Sequence, residues 1–182
     1  AVMGLGIMLG MGGGSLMSIY RGEQDASKVM LTLSSTLWLV IGFGIVAMLF
    51  LHSSSQYLLY LQGAKGEVLV LAEQYIAVYS YSAIITLGAG ALPMLVRNDD
   101  SPHIATGLLV VGAVLNIVLD YLFIGVASMG LAGAAIATVI AQSVVAMLGL
   151  LYFLLGYGNT KIKFGQVCPT LAIKAVRLGS SS

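Results

Sequence analysis

An all-α membrane protein, a polytopic bundle of about five transmembrane helices, is the fold class this sequence predicts. Three observations carry the reading. Of 182 residues, 59% are hydrophobic and only 8% are charged, against about 25% charged in ordinary soluble domains. Mean hydropathy is +1.00. The apolar residues also fall into five long runs divided by short, turn-like segments. A chain of this length is long enough for one soluble domain, but this surface is too apolar for water to solvate.

A helical span needs about 20 mostly apolar residues. Ala1–Tyr20 is uncharged and rich in glycine, and Val29–Leu51 is uncharged. Gln74–Val96 follows Glu73 and ends at Arg97. Ile104–Ile124 holds Asp120 as its sole charge, and Ala132–Tyr157 holds none. The breaks at Arg21–Asp25, Gly63–Glu67, Asn98–Pro102 and Gly125–Gly130 are short and rich in turn residues. Ser53 to Glu73 is the longest connection, and its Tyr57 and Tyr60, with Tyr75 just beyond, suit an interfacial belt.

Alternating spans place Arg21, Lys28, Arg97, Lys161, Lys163, Lys174 and Arg177 on one side and only Lys65 on the other. The positive-inside rule makes the first side cytoplasmic, so the carboxyl-terminal tail lies inside. The organisation expected is a transmembrane bundle over 1–157 and a cytoplasmic linker over 158–182. In that linker, Leu171, Ala172, Ala175, Val176 and Leu178 beside Lys174 and Arg177 read either as an amphipathic helix on the membrane surface or as the start of a further span. The chain opens without methionine inside an apolar run and closes as another apolar pattern begins, so it reads as a piece of a longer protein.

A net charge of +1 and no basic patch give no sign of a nucleic-acid partner. The single cysteine, Cys168, excludes an intramolecular disulfide and a cysteine-based metal site. An enzyme is not expected, because no nucleophile–base set, phosphate loop or metal motif appears. His52 and His103 fall at opposite membrane edges, Glu67 and Glu73 at the outer edge. Asp99 and Asp100 occupy a turn, where a solvated loop is the natural reading.

Packing between spans relies on small residues, since lipid offers helices no hydrophobic drive toward one another. Gly4, Gly6, Gly10, Gly12, Gly13 and Gly14 line the first span, Gly42 and Gly44 mark the second, and Gly130, Gly133 and nearby alanines open the fifth. Close packing is the preferred account of these positions. Gly88, Gly90 and Pro93 cluster late in the third span and predict a bend there.

Asp120 is the outlier. A carboxylate at the bilayer centre costs roughly 2.5–3.5 kcal/mol and calls for a partner, a water cavity or an ion. Asn116 lies at i−4 on the same face. Counted from a turn centred near Met129, Asp120 and Thr138 both fall roughly 13 Å deep. An amide, a carboxylate and a hydroxyl thus converge between two antiparallel helices. Thr138 alone reads best as satisfying Asn116 or a backbone carbonyl, whereas an aspartate is a costly helix glue. Such oxygen ligands suit a hard cation, and a desolvated carboxylate equally suits a proton carrier, so Na⁺ and H⁺ both stand.

These residues carry a resemblance. Leu92-Pro93-Met94-Leu95-Val96-Arg97-Asn98-Asp99-Asp100-Ser101-Pro102, the run Gly112 to Asp120, and the run Met129 to Thr138 resemble the MATE multidrug and toxic compound extrusion transporters. Ser18-Ile19-Tyr20-Arg21-Gly22 is similar to the end of that family's second helix. The resemblance implies a twelve-helix fold of two lobes, with these spans as helices two to six. It implies export of cationic amphipathic drugs in exchange for Na⁺ or H⁺, with no cofactor besides the coupling ion, in the inner (plasma) membrane. It also implies an ion or proton site at Asp120, Asn116 and Thr138, and absent partners: helix one, with its aspartate, and the second lobe. Tyr79, Tyr81, Met94, Phe123 and Met147 are expected to line an adaptable drug cavity, although packing or lipid contact accounts for each alone. The rival readings are a flippase of lipid-linked saccharide, disfavoured by spans without Lys or Arg, and a truncated membrane piece with no activity of its own.

Overall fold

The computed structural model describes residues 2–61, 66, 69, 72, 76, 79–162 and 165–181, with backbone only at 55, 56, 58, 60 and 61. Among the described residues six α-helices form: α1 (Val2–Gly22), α2 (Ala26–Leu61), α3 (Ala83–Asn98), α4 (Pro102–Asp120), α5 (Gly130–Leu155) and α6 (Pro169–Ser180). A π-helical segment, Tyr121–Val126, extends α4. Val2–Gly22, Ala26–Ser54, Pro102–Val126 and Gly130–Leu155 are each long and apolar enough to cross a membrane, and Ala83–Asn98 is a shorter apolar helix. The side chains of Tyr60, Lys65, Glu67, Glu73, Tyr75 and Lys163 lie outside the described set.

Two boundaries differ from expectation. α2 runs on through Ser53 to Leu61, taking in what reads as the start of a loop. A helix satisfies its own backbone bonds whatever its side chains, so polar residues past the apolar run do not stop it. Of the third span, residues 74, 75, 77 and 78 lie outside the described residues, and the described part breaks at Ser82. Tyr79–Tyr81 is helical, Ser82 is a turn residue with its Oγ donating to the Tyr79 carbonyl at 2.9 Å, and α3 begins at Ala83. Such a side-chain bond competes with the ladder. Pro93, where a bend was expected, lies inside α3, which continues past it to Asn98.

The turn from α1 to α2 is fixed by Asp25, which accepts the Lys28 backbone N–H at 3.0 Å, an N-cap bond. The Lys28 ammonium, 2.9 Å from the second Asp25 oxygen, does most to hold that carboxyl below its usual range. Gly156 ends α5 in the left-handed conformation (φ 70°), as a residue without Cβ does readily.

α1 and α3 cross with their backbones touching. A Cβ on Gly10 would stand 2.6 Å from the Ala91 carbonyl oxygen, and one on Gly90 would stand 2.8 Å from that of Met3. Gly6 meets the Leu87 backbone in the same way. α2 and α6 pack on other faces of α1, and α5 and α4 pack on α3. One apolar cluster gathers Met17, Leu33, Leu95, Val96 and Phe153, and a second gathers Leu9, Val40, Leu87 and Ala91.

α6 buries Leu171, Ala172 and Ala175 and leaves Lys174 and Arg177 exposed. Ala175 and Gly179 press on α1 at Gly12 and Met8. Numbers rise along α6 as they fall along α1, so the two are antiparallel, with contacts roughly 15 to 21 Å from the Gly22 end.

Asp99 overturns the reading of a solvated loop. Its side chain is 0% exposed. Oδ1 is bound by the Arg21 guanidinium and by the Thr160 hydroxyl at 2.6 Å. Oδ2 accepts the Tyr152 hydroxyl at 3.0 Å and the Asn159 backbone N–H at 2.9 Å. One carboxylate thereby ties together the ends of α1, α3 and α5 and the strand of chain after α5. Asp100, whose side chain is 65% exposed, meets the other Arg21 nitrogen at 2.9 Å.

Two stability predictions follow from these contacts, read as melting of the purified protein in detergent. Gly10→Ala should destabilise by about 1–3 kcal/mol through overpacking, whereas Gly4→Ala, with nothing within 4 Å, should be neutral or stabilise by up to about 1 kcal/mol. Asp99→Ala should cost about 3–5 kcal/mol, as expected when one partner of a buried charge pair is removed; Asp100→Ala should cost less than about 1 kcal/mol.

Candidate functional site

α4 and α5 form an antiparallel pair joined by the π-helical turn. In that turn the Met129 N–H reaches back to the Phe123 carbonyl at 2.9 Å, and Gly133 packs against Phe123. Higher on the pair, the Asn116 amide donates to Thr138 Oγ1 at 3.4 Å, and the Thr138 hydroxyl donates to the Ala134 carbonyl at 2.9 Å. Two of the three expected ligands are therefore joined.

Their register differs from simple counting. Thr138 lies opposite Asn116, not Asp120, a displacement of one helical turn. Asp120 thus sits one turn nearer the α4–α5 connection than Thr138 does.

Asp120 Oδ1 is buried and has no hydrogen-bond partner. A buried acceptor left unpaired is uncommon and asks for an explanation. Among the described residues no group of three or more His, Cys, Asp or Glu side chains is placed to hold a metal. The oxygens of Asp120, Asn116 and Thr138 instead offer a carboxylate, an amide carbonyl and a hydroxyl.

Beside the pair lies a cavity of about 250 Å³ between α1, α3, α4 and α5. Its wall is largely apolar, with Met3, Ala89 and Leu109, and its polar members are Asn116, Thr138 and Gln142. The five residues expected around a drug cavity do not line this one. Tyr81 is exposed and lies against the His52 ring at 5.6 Å; Tyr79 belongs to the second apolar cluster; Met94 is half-buried in α3; Phe123 is in the π turn; Met147 is exposed. None of them lines this cavity. Met3 and Gln142, which do, escaped the sequence reading. For Gln142 the signal was present: it lies at i+4 from Thr138 on an uncharged span.

The chain as a whole is similar to known proteins. The MatE family profile matches residues 1–122. The multidrug export protein MepA of Staphylococcus saprophyticus is 28% identical over 172 residues, covering 94% of this chain and 38% of that protein. MepA of Staphylococcus aureus strain MRSA252 is 29% identical over 153 residues, covering 84% and 34%. Among solved structures, an inward-facing multidrug resistance MATE transporter of the MOP superfamily superposes with a TM-score of 0.93 at 25% identity, covering 100% of this chain and 42% of that one. An outward-facing structure of such a transporter gives 0.90 at 25% identity, covering 98% and 40%. The chain thus spans about two fifths of the length of these relatives.

The unpaired Asp120 oxygen yields a stability prediction. Asp120→Leu should leave the melting midpoint unchanged or raise it, since no bond to Oδ1 is lost and a desolvated acceptor is removed. A clear fall in the midpoint would show that Asp120 serves to hold the helices together.

Proposed function

Because the chain belongs to the MatE family, we propose that it forms part of a secondary active multidrug efflux antiporter, exporting cationic amphipathic drugs in exchange for Na⁺ or H⁺. The observation that carries this reading is the buried, unpartnered Asp120 oxygen one turn from the Asn116–Thr138 pair, beside a largely apolar cavity. A carboxylate kept without a hydrogen bond in an apolar span is destabilising unless it binds something. Na⁺ or a proton supplies the missing partner, and the oxygens nearby fit either.

In this reading residues 1–157 are the membrane bundle of one lobe, and 158–182 are the linker and the start of the next helix. The bundle lies in the plasma membrane, with Arg21, Arg97 and Lys161 at its cytoplasmic face by the charge bias. An ion at Asp120 and a drug in the cavity favour opposite orientations of the lobe, which is coupling by differential affinity. Similar superposition on inward-facing and outward-facing relatives is what a lobe moving as one body produces. None of the described residues lining the cavity is charged, which speaks against a lipid-linked saccharide pyrophosphate as cargo.

A second reading, a membrane piece with no activity of its own, draws on the chain's coverage of only 38% of its MepA relative. Ethidium efflux from cells expressing the chain, under imposed Na⁺ and H⁺ gradients, separates the two. The expected result is gradient-driven efflux that Asp120→Asn abolishes. Efflux that persists in Asp120→Asn with the same ion dependence would remove Asp120 from the mechanism. A chain present in the membrane and silent in both forms would establish the second reading.

A further inference from the structure

Gln142 faces the cavity from α5, one turn beyond Thr138, and it is not free to rotate. The Thr86 hydroxyl of α3, fully buried, donates to Gln142 Oε1 at 2.6 Å. That bond occupies the amide's acceptor and leaves its N–H pair for the cavity. The other polar groups there are already committed in part. Asn116 donates to Thr138, and Thr138 donates to Ala134. The wall is otherwise apolar and none of its described residues is charged. The Gln142 amide is therefore a donor on this wall whose acceptor end is held by a partner from another helix.

We propose that Gln142, oriented by Thr86, is a specificity-determining residue that donates its amide N–H to a carbonyl, ester or carboxylate oxygen of the transported drug. The inference rests on the cavity being the drug site. In an apolar pocket an orienting hydrogen bond discriminates strongly between ligands that offer an acceptor and ligands that do not, because the donor is left unpaired in the second case. Gln142 thus favours acceptor-bearing cations over those that lack one. Thr86 is a positioning residue: it touches the amide and not the cavity, and it fixes which end of the amide faces inward.

The test is equilibrium binding of two fluorescent cations to the purified chain in nanodiscs, read by anisotropy. Ethidium has no carbonyl, and rhodamine 6G has an ester carbonyl. Gln142→Leu should weaken rhodamine 6G roughly five- to ten-fold, the worth of one hydrogen bond, and leave ethidium within about two-fold. Thr86→Val keeps the amide but frees it, and should weaken rhodamine 6G alone by a smaller factor. Retained ethidium binding reports that each variant is folded. Equal weakening of both dyes in Gln142→Leu, or no change in either, would overturn the role of Gln142 while leaving the cavity as a drug site. A wild-type chain that binds neither dye would overturn the cavity reading, and this inference with it.

Discussion

Lipid tails are as apolar as the side chains that face them, so contact between membrane helices has to come from close approach. Here that approach is made by α1 and α3 at Gly6, Gly10 and Gly90, where one backbone lies on the other with no side chain between. The rest of the bundle is arranged around this crossing. α3 carries α5 and α4 on its remaining surface, and α1 carries α2 and α6. The cavity exists because Met3 of α1 and Ala89 of α3 are held against the α4–α5 pair at that seam. Widening the seam by a methyl group would move two of the cavity's four walls.

Two aspartates show how differently one side chain is handled. Asp99 is fully buried and surrounded by donors from Arg21, Tyr152, Asn159 and Thr160. Asp120 is buried at Oδ1 and receives nothing there. The first arrangement is a fastening, since every interaction is already made and no ion has anything to add. The second is an unfilled valence, and its energetic cost gives a cation or proton something to relieve. Reading Asp99 from its neighbours in sequence misleads, because it sits among turn residues and looks solvated.

What was legible in the chain follows from the range of the forces involved. Uncharged runs mark helices because the signal is local, and α1, α4 and α5 begin and end within a few residues of where hydropathy puts them. The Asn116–Thr138 meeting was also legible, because a short connection forces antiparallel neighbours. The burial of Asp99 was not, because its donors come from 78 residues before and 61 after. The ideal-rise count set Thr138 level with Asp120, whereas its hydrogen bond is to Asn116. The extension of α2 past Ser53 was hidden because backbone hydrogen bonding, which hydropathy does not register, sustains it.

The glycine seam also bears on how such a chain can change under selection. At Gly6, Gly10 and Gly90 a first substitution adds at least a methyl group where backbone atoms already stand, so no single step leads to a tolerated neighbour. The cavity wall is different. Leu109, Ala89, Met3 and Gln142 are bordered by open volume, and each has several replacements of similar shape. On the function proposed, variation that alters which compounds are accepted therefore has room to accumulate on the wall, and the seam offers no such room.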